Sequence, residues 1–359
     1  MTITRSLLTW TLCLLALVIA STAAAQDGPT ITFLAGDAAR AAIVDESVEP
    51  YISLLCAHEM QVKAGVELEG DTLDAQRDFV KQHYADNTRD FTDAEQAVIT
   101  AIIAKIQPLF ERHYPRLAGY GWSFIKVTQA VEQGLPHTHG ASIILPESFL
   151  RQVVPVYRQM PEAVVPSLVN LLIHEQMHVV QRFEPDTFAP FYTEQWGLEH
   201  VESIAGHDWL DERQLINPDG VDVNWIMNVG SEASPRYIQP NVILKRFDNR
   251  PSRMPRDFRM VAIEVDCDDD GQWHPVIGDD GLPAVTDLGD ESVYMAHYGA
   301  SHNVYGPNES LADLFARVML ADHFEPADGS SRRPRPASAR ALDPVRDFMR
   351  EAFGEPVSE

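Results

Sequence analysis

The sequence predicts an α+β fold that is mainly helical, with a small mixed sheet above one central helix. Apolar residues recur with helical spacing in several long segments. Two short runs rich in β-branched and aromatic residues, 122–128 and 141–145, indicate strands. Residues 163–183 are apolar on more than one side, which is typical of a buried helix.

The first 25 residues predict a signal peptide rather than part of the fold. Arg5 supplies the positive start, residues 7–20 are apolar, and Ala23-Ala24-Ala25 forms a small-residue cleavage site. We therefore expect export to the periplasm or the extracellular space, with an uncleaved signal anchor as the alternative. No later segment is apolar enough to span a bilayer, so we expect no stable membrane insertion after the signal is removed.

The net charge limits the kinds of binding partner, and the cysteines leave one disulfide open. A formal charge of −25 makes nucleic acid or an anionic membrane surface an unfavourable partner. Cys56 and Cys267 lie outside the predicted signal peptide, and in an oxidising compartment they either pair or remain separate thiols. Nothing in the sequence indicates an oligomeric state.

The N-terminal half predicts a helical scaffold followed by two strands. Residues 38–84 indicate helix with a break at Gly70-Asp71, so we assign 26–90 to an N-terminal helical scaffold. Residues 92–112 predict a longer helix, because Thr92 and Glu95 form a capping box before an apolar helical pattern. A polar loop then separates the two predicted strands.

The C-terminal half predicts further helices and one strand. Residues 193–204 indicate a helix, 260–266 a strand and 309–320 another helix. A stretch rich in Pro, Arg and Ser at 325–339 indicates a linker, so 325–359 is assigned to a linker and a terminal helix.

The central helix carries the most informative motif, His174-Glu175-Gln176-Met177-His178. Two histidines four residues apart project from one face of a helix, so both rings can bind one metal ion. Glu175 stands beside the first histidine, where it can accept a proton from a metal-bound water. The motif predicts a zinc hydrolase.

A catalytic zinc usually has three protein ligands, so a third is needed. The motif resembles that of the zincin enzymes, whose gluzincin branch takes the third ligand from a Glu on a downstream helix, and this resemblance makes Glu199 and Glu309 the candidates. We favour Glu309, because Asp313 follows one helical turn later and could orient a ligating histidine by a hydrogen bond. Glu199 has Ser203 at the equivalent position, and we keep it as the alternative.

These motifs resemble the zincin metallopeptidases, and the Glu-x-x-x-Asp helix resembles the gluzincin branch. Tyr298-Gly299, followed by the run Asn308 to Ala316, is similar to bacterial gluzincins, and residues 92–320 resemble uncharacterised secreted bacterial zincins more weakly. The resemblance implies a zincin-like catalytic domain over 91–324 that hydrolyses peptide bonds of a peptide or protein substrate.

The resemblance also implies a residue that stabilises the oxyanion near the third ligand. Tyr298, Tyr305 and His302 are the candidates. We favour the two tyrosines, because the Tyr-Gly resemblance to bacterial gluzincins involves them. It further implies that the strand over 141–145 is an edge strand that pairs with an extended substrate. His137 and His139 either line the cleft beside that strand or belong to an ordinary polar loop.

One acidic run raises the question of a second metal. Asp266, Asp268 and Asp270, followed by Gly271, match the start of a Ca²⁺ loop, but Ile277 stands where a bidentate Glu is expected. We expect a hairpin turn here, with Ca²⁺ as the alternative.

The sequence therefore predicts an exported zinc-dependent hydrolase that cleaves peptide bonds, with His174, His178 and Glu309 as ligands and Glu175 as general base. Two alternatives stay open. One is a zincin-like protein that binds peptides without turnover, and the other is a zinc hydrolase of a non-peptide amide.

Overall fold

The computed structural model describes residues 29–245, 253–254, 256–298, 301, 303–324 and 342–354. The predicted signal peptide, the predicted linker over 325–339 and His302 lie outside the described residues. About half of the described residues are helical and the rest form two sheets and their connections, so the predicted α+β class is confirmed. Among these residues, no helix is both long enough and apolar enough to cross a bilayer.

The first sheet is mixed and has five strands. They are β1 (Ile31–Phe33), β2 (Thr88–Arg89), β3 (Trp122–Val127), β4 (His137–His139) and β5 (Ser142–Pro146). The order is β1-β3-β5-β4; β1, β3 and β5 are parallel, β4 is antiparallel to β5, and β2 pairs with β3. Almost every residue of β3 and β5 is buried, as expected for strands covered on both faces.

Both predicted strands of this sheet are confirmed, but the position predicted for the second one is wrong. The strand over 141–145 was expected at the edge, whereas β5 lies between β3 and β4. The edge strand is β4, which contains His137 and His139. A three-residue strand between two turns gives too weak a sequence signal to predict, so β4 was read as loop.

The N-terminal segment is helical as predicted, with more interruptions. It contains α1 (Gly36–Ala42), a 3₁₀ turn (Ile52–Leu54), α2 (Ala57–Ala64) and α3 (Leu73–Asp86). Gly65 ends α2 with a φ of +68°, a left-handed conformation that glycine adopts without strain. Because β1 and β2 belong to the mixed sheet, this segment also supplies two of that sheet's strands.

The central helices pack beneath the mixed sheet. They are α4 (Asp93–His113), α5 (Pro115–Ala118), α6 (Glu147–Gln159) and α7 (Pro161–Phe183). The capping box of α4 is confirmed, since the Glu95 amide donates to Thr92 Oγ1 and the Thr92 amide donates to Glu95 Oε2. Helix α7 is the predicted central helix and contacts β4 and β5 of the sheet.

The second sheet has six antiparallel strands and was mostly not predicted. Its strands are β6 (Leu198–His200), β7 (Trp225–Asn228), β8 (Tyr237–Leu244), β9 (Phe258–Cys267), β10 (Trp273–Pro275) and β11 (Val285–Asp287). The order is β10-β9-β8-β7-β6, and β11 also pairs with β9. The strand predicted over 260–266 is confirmed as part of β9.

The helix predicted over 193–204 is wrong. A short helix, α8 (Pro185–Pro190), leads into a π-helical turn over Phe191–Gln195, and Gly197 then adopts a φ of +66°. The chain continues as β6, paired with β7 and with Glu199 exposed. The helical spacing therefore ends at Gly197, where the backbone turns into the second sheet.

The remaining helices close the core. They are α9 (Asp208–Asp211), α10 (Ser292–Tyr298), α11 (Pro307–His323) and α12 (Asp343–Phe353). Helix α11 confirms the helix predicted over 309–320 and packs against α7, while α12 packs against α11. The ring of Phe110 in α4 stacks on Phe315 in α11 with their centroids 6.4 Å apart, so these helices share one core.

The acidic run forms the expected hairpin turn between β9 and β10. Asp268 carries the turn, because its carboxylate accepts from the amides of Asp270 and Gln272 at 3.0 and 2.9 Å. Cys56 and Cys267 are both free thiols in this structure, so the open question of a disulfide is answered by two separate thiols.

The capping box yields a stability prediction. Thr92→Ala removes an acceptor for an amide of the first turn of α4, and N-cap losses of this kind cost about 1 kcal/mol. We expect a decrease of that size in the free energy of unfolding, measured by urea titration. Thr92→Ser keeps the acceptor and should lie within a few tenths of a kcal/mol of the unmodified protein (about one third of the alanine effect). Equal losses in the two variants would show that the capping bond is not the cause.

Candidate metal centre

The two motif histidines lie on the buried face of α7. Their Nε2 atoms are 3.1 Å apart, and the rings are nearly perpendicular. His178 is fully buried and His174 is nearly so. Burial of two imidazoles this close together requires a shared partner, because an unpaired buried ring nitrogen is costly.

Glu309 supplies that partner from the first turn of α11. Its Oε2 lies 3.5 Å from His174 Nε2, and its Oε1 lies 3.4 Å from His178 Nε2. Among the described residues, this His-His-Glu group is the one whose ligand atoms converge closely enough to hold a metal ion. Glu199, the alternative third ligand, lies exposed on β6 and does not belong to the group.

The spacing of the His-His-Glu group fits a tetrahedral metal ion. With metal bonds of about 2.0–2.1 Å, two ligand atoms of a tetrahedral site lie about 3.3–3.4 Å apart. The three separations observed here are 3.1, 3.4 and 3.5 Å. Two nitrogens and a carboxylate at these distances leave the fourth tetrahedral position without a protein ligand.

Electrostatic effects in the metal-free chain show where positive charge is favoured. Burial opposes ionisation of Glu309, yet the two histidines lower its pKa to about 2. Burial lowers the pKa of His178 to about 3, whereas for His174 the hydrogen bond and charge of Glu309 outweigh burial and raise the pKa to about 9. The carboxylate of Glu309 is therefore anionic, and His174 rather than His178 takes up a proton beside it.

Gln181 fixes the orientation and the tautomer of His178. Its Nε2 donates to the carbonyl oxygen of Asn308 at 3.0 Å. A carbonyl oxygen only accepts, so this end of the amide is the NH₂ group and Oε1 faces His178 Nδ1 at 2.9 Å. The proton of His178 therefore lies on Nδ1, and its lone pair lies on Nε2, as a metal ligand requires.

The role predicted for Asp313 falls to Gln181 in the case of His178. Asp313 is nearly buried on α11, and its carboxylate accepts from Ser301 Oγ at 2.8 Å and pairs with Arg317 Nε at 3.3 Å. The i+4 spacing did place Asp313 on the cavity side of α11. The orienting residue is instead three positions after His178 on its own helix, a position that the zincin resemblance did not indicate.

Glu175 lies beside the group with one carboxylate oxygen unpartnered. The residue is only 3% exposed, and its Oε2 makes no hydrogen bond. Burial, followed by the nearby charge of Asp219, holds the pKa of Glu175 well above its usual range, and His174 opposes this. Glu175 lines the same cavity as His174 and Glu309, so its oxygen is positioned to meet a molecule bound there.

Of the three predicted oxyanion donors, only Tyr305 is seen at the site. It lines the cavity, and burial together with the charge and a hydrogen bond of Glu309 raises its pKa well above the usual range. Tyr298 is misassigned: it lies in the hydrophobic core, with its ring centroid 4.8 Å from that of Trp196, and it is not part of the cavity wall. His302 lies outside the described residues.

The cavity has a volume of about 750 Å³, within the usual range for ligand sites. One wall is a segment over residues 215–220, which we call the strap; it connects α9 to β7. The side-chain amide of Asn217 donates to Glu309 Oε1 at 2.5 Å, and the side-chain amide of Asn303 donates to Glu309 Oε2 at 3.2 Å. Neither Asn217 nor Asn303 was predicted from the sequence. Asn217 belongs to the run Asn-Pro-Asp-Gly in the strap, which indicates only a turn.

The strap also contacts the edge strand of the mixed sheet. Asp219 Oδ1 accepts from the Thr138 amide at 2.5 Å and from Thr138 Oγ1 at 2.9 Å. Burial, and then the charge of Glu309, raises the pKa of Asp219 to about 6. The outward amide of β4 is thus already bonded, so the edge pairing expected for a substrate is absent in this arrangement.

The two histidines of β4 are buried strand residues rather than part of a polar loop. His137 lines the cavity, as one of the two readings predicted. His139 does not; its Nε2 lies 3.0 Å from the carbonyl oxygen of Asp45, and burial lowers its pKa to about 4. Within the described residues, neither these histidines nor Asp266, Asp268 and Asp270 form a second cluster suited to a metal ion.

Comparison with protein-family models, with curated proteins and with solved structures found no match for this chain.

The geometry predicts which glutamate binds the metal. Glu309→Ala removes a ligand, and we expect it to weaken Zn²⁺ binding by more than the roughly 10-fold to 100-fold that loss of an outer hydrogen bond typically causes. Glu199→Ala changes an exposed strand residue and should leave the affinity nearly intact. Competitive chelator titration measures both. Loss of Zn²⁺ in the Glu199 variant with normal binding in the Glu309 variant would reverse the assignment.

A second prediction concerns Gln181. Gln181→Leu removes the acceptor at His178 Nδ1, and we expect Zn²⁺ affinity to decrease about 10-fold to 100-fold. Gln176→Leu is the matched control, because Gln176 is a buried amide of the same helix that donates to the Gly121 carbonyl oxygen instead. If both variants lose affinity equally, the effect comes from the helix and not from the orientation of His178.

Proposed function

We propose that this protein is a zinc-dependent hydrolase that cleaves peptide bonds in the manner of the zincins. The observation that carries the proposal is the convergence of His174, His178 and Glu309 beside the unpartnered carboxylate oxygen of Glu175. A purely structural metal site has no use for such a carboxylate, so its presence favours catalysis over binding without turnover.

Zinc is the metal that the ligand set favours. Two imidazole nitrogens and one carboxylate in tetrahedral spacing are typical of catalytic zinc sites, which keep a fourth position open. When bound there, zinc would lower the pKa of a water molecule and polarise the carbonyl group of a substrate. The zincin architecture is supported by the mixed sheet over α7 and by α11, which carries the third ligand.

Glu175 is the proposed general base. Its oxygen accepts a proton from the attacking water and then delivers it to the nitrogen of the leaving amine. Burial raises the pKa of Glu175, which helps its carboxyl group to hold the proton until the leaving amine takes it. No other described group is needed for this transfer.

Tyr305 is the proposed donor to the oxyanion. Its hydroxyl borders the cavity beside Glu309, where a phenol kept neutral by its raised pKa donates a hydrogen bond. Asn217 and Asn303 donate to the carboxylate of Glu309 and hold it in place. We therefore assign the oxyanion donor to Tyr305 rather than to either asparagine.

The proposed compartment and substrate class are those that the sequence predicts. The N-terminal segment supports export to the periplasm or the extracellular space, and we propose peptides or proteins as substrates. An amide outside proteins would satisfy the same chemistry, and substrate profiling distinguishes the two.

The general base is tested with Glu175→Gln, which keeps the shape but not the proton acceptor. We expect this variant to bind about one Zn²⁺ per chain, since the three ligands are unchanged, and to lose about 100-fold to 10,000-fold in turnover of peptide substrates. Zinc content and hydrolysis of a peptide library are measured on the same preparations.

Glu162→Gln is the matched control, because Glu162 is an exposed carboxylate in the first turn of the same helix. It should retain both zinc and turnover. Full hydrolysis by the Glu175 variant, or a chain that takes up no zinc, would refute the proposed function.

A further inference from the structure

The strap forms a wall of the cavity and contacts β4. Thr138 is the middle residue of β4, and its amide points away from β5 to Asp219. In a three-residue edge strand this is the outward amide on which an extended peptide would pair. A substrate therefore cannot continue along β4 while Asp219 holds this position.

The strap is held at several points, which makes it a fixed wall. The Ile216 amide donates to Glu59, and its carbonyl oxygen accepts from Lys63. Arg182 donates to the Pro218 carbonyl oxygen at 2.8 Å. Bonds from charged side chains to residues 216 and 218 hold this wall in place, so we expect a substrate chain to end there.

The charges on the cavity wall select which chain end fits. The carboxylates that line it are Glu132, Glu175, Asp219, Glu309 and Asp313. The one lysine or arginine among the described lining residues is Lys63, and it is already engaged by Glu59, the Tyr51 hydroxyl and the strap. Apart from the proposed zinc ion and the lining histidines His137 and His174, the described lining residues offer a substrate carboxylate no cation that is not already engaged, whereas an ammonium group would find carboxylates.

Two carboxylate oxygens in the wall have no hydrogen-bond donor among the described contacts. The hydrogen bonds described for the Asp219 carboxylate both go to Oδ1, which leaves Oδ2 for a ligand. Glu132 is 1% exposed, and its Oε2 makes no hydrogen bond; Lys63 Nζ lies 3.7 Å away. Both residues line the cavity and both interact electrostatically with His137, so they share one region of the wall.

We propose that Asp219, supported by Glu132, binds the free N-terminal ammonium group of the substrate, so that the enzyme removes residues from the N-terminal end of peptides. This inference rests on the proposed hydrolase function. The reaction adds one water across the amide and releases a short N-terminal fragment and the shortened peptide. The other lining residues favour apolar side chains in that fragment; they include Phe149, Leu171, Val242, Met254, Phe258 and Met260.

Binding to a chain without turnover tests the ammonium site separately from catalysis. The probes are Phe-Leu-amide and 3-phenylpropanoyl-Leu-amide, in which a hydrogen atom replaces the N-terminal ammonium group. Calorimetry on zinc-loaded Glu175→Gln protein should show the free amine binding about 10-fold to 100-fold more tightly, the range of one hydrogen bond to a charged group. Equal binding of the two probes overturns the inference without any further variant.

Asp219→Asn in the same background identifies the residue. Asparagine keeps an oxygen for Thr138 and loses the charge, so the preference for the free amine should decrease to about 2-fold or less. Asp222→Asn is the matched control, because Asp222 lies three residues further on, pairs with His200 at 2.8 Å and does not line this cavity. It should keep the full preference, and a loss in this control equal to that in the Asp219 variant counts against the site.

Hydrolysis by the unmodified protein separates the two proposals. Cleavage of N-acetylated peptides as fast as free ones, at internal bonds, would leave the proposed hydrolase standing and refute the ammonium site. Tight binding of the free amine without zinc-dependent cleavage of any peptide would keep the ammonium site and refute the hydrolase.

Discussion

The carboxylate of Glu309 is the group on which the arrangement of the site depends. It is buried, and a buried charge is tolerated only when hydrogen bonds and opposite charges surround it. Those partners come from three directions: the histidines of α7, Asn217 of the strap and Asn303 before α11. The hydrogen bonds and charges that this one carboxylate needs therefore bring α7, the strap and the segment before α11 to the same point.

The strap extends this constraint from the central helices to both sheets. The backbone amide of Leu215 in the strap donates to the Val242 carbonyl oxygen of β8. Asp219 accepts from the Thr138 amide at the edge of the mixed sheet. The unpredicted antiparallel sheet is thus more than a peripheral addition. It supports the segment that forms one wall of the cavity, and the character of that wall decides what the site can accept.

The sequence predicted the parts of the site whose signal is local. Helical spacing and capping located α4, α7 and α11, and a five-residue motif located His174, Glu175 and His178. Glu309 was favoured because Asp313 was expected to orient a ligating histidine, whereas Asp313 bonds to Ser301 and Arg317. Tyr298 was misplaced because sequence proximity to the third ligand does not reveal which way a helix turns its side chains. Gln181, Asn217 and Asp219 act through contacts across the fold, and such contacts have no short-range pattern.

The wide separation of these contacts along the chain has a consequence for folding. The bond between Gln181 and Asn308 spans 127 positions, and the bond between the Ile216 amide and Glu59 spans 157. Contacts this distant form late, after the entropy of closing long loops has been overcome. During synthesis the two histidines emerge well before Glu309, so a nascent or partly folded chain carries only two of the three ligands. Completion of the His-His-Glu group would then require that α7 and α11 have reached their native positions, and the proposed hydrolytic activity would be absent until that moment.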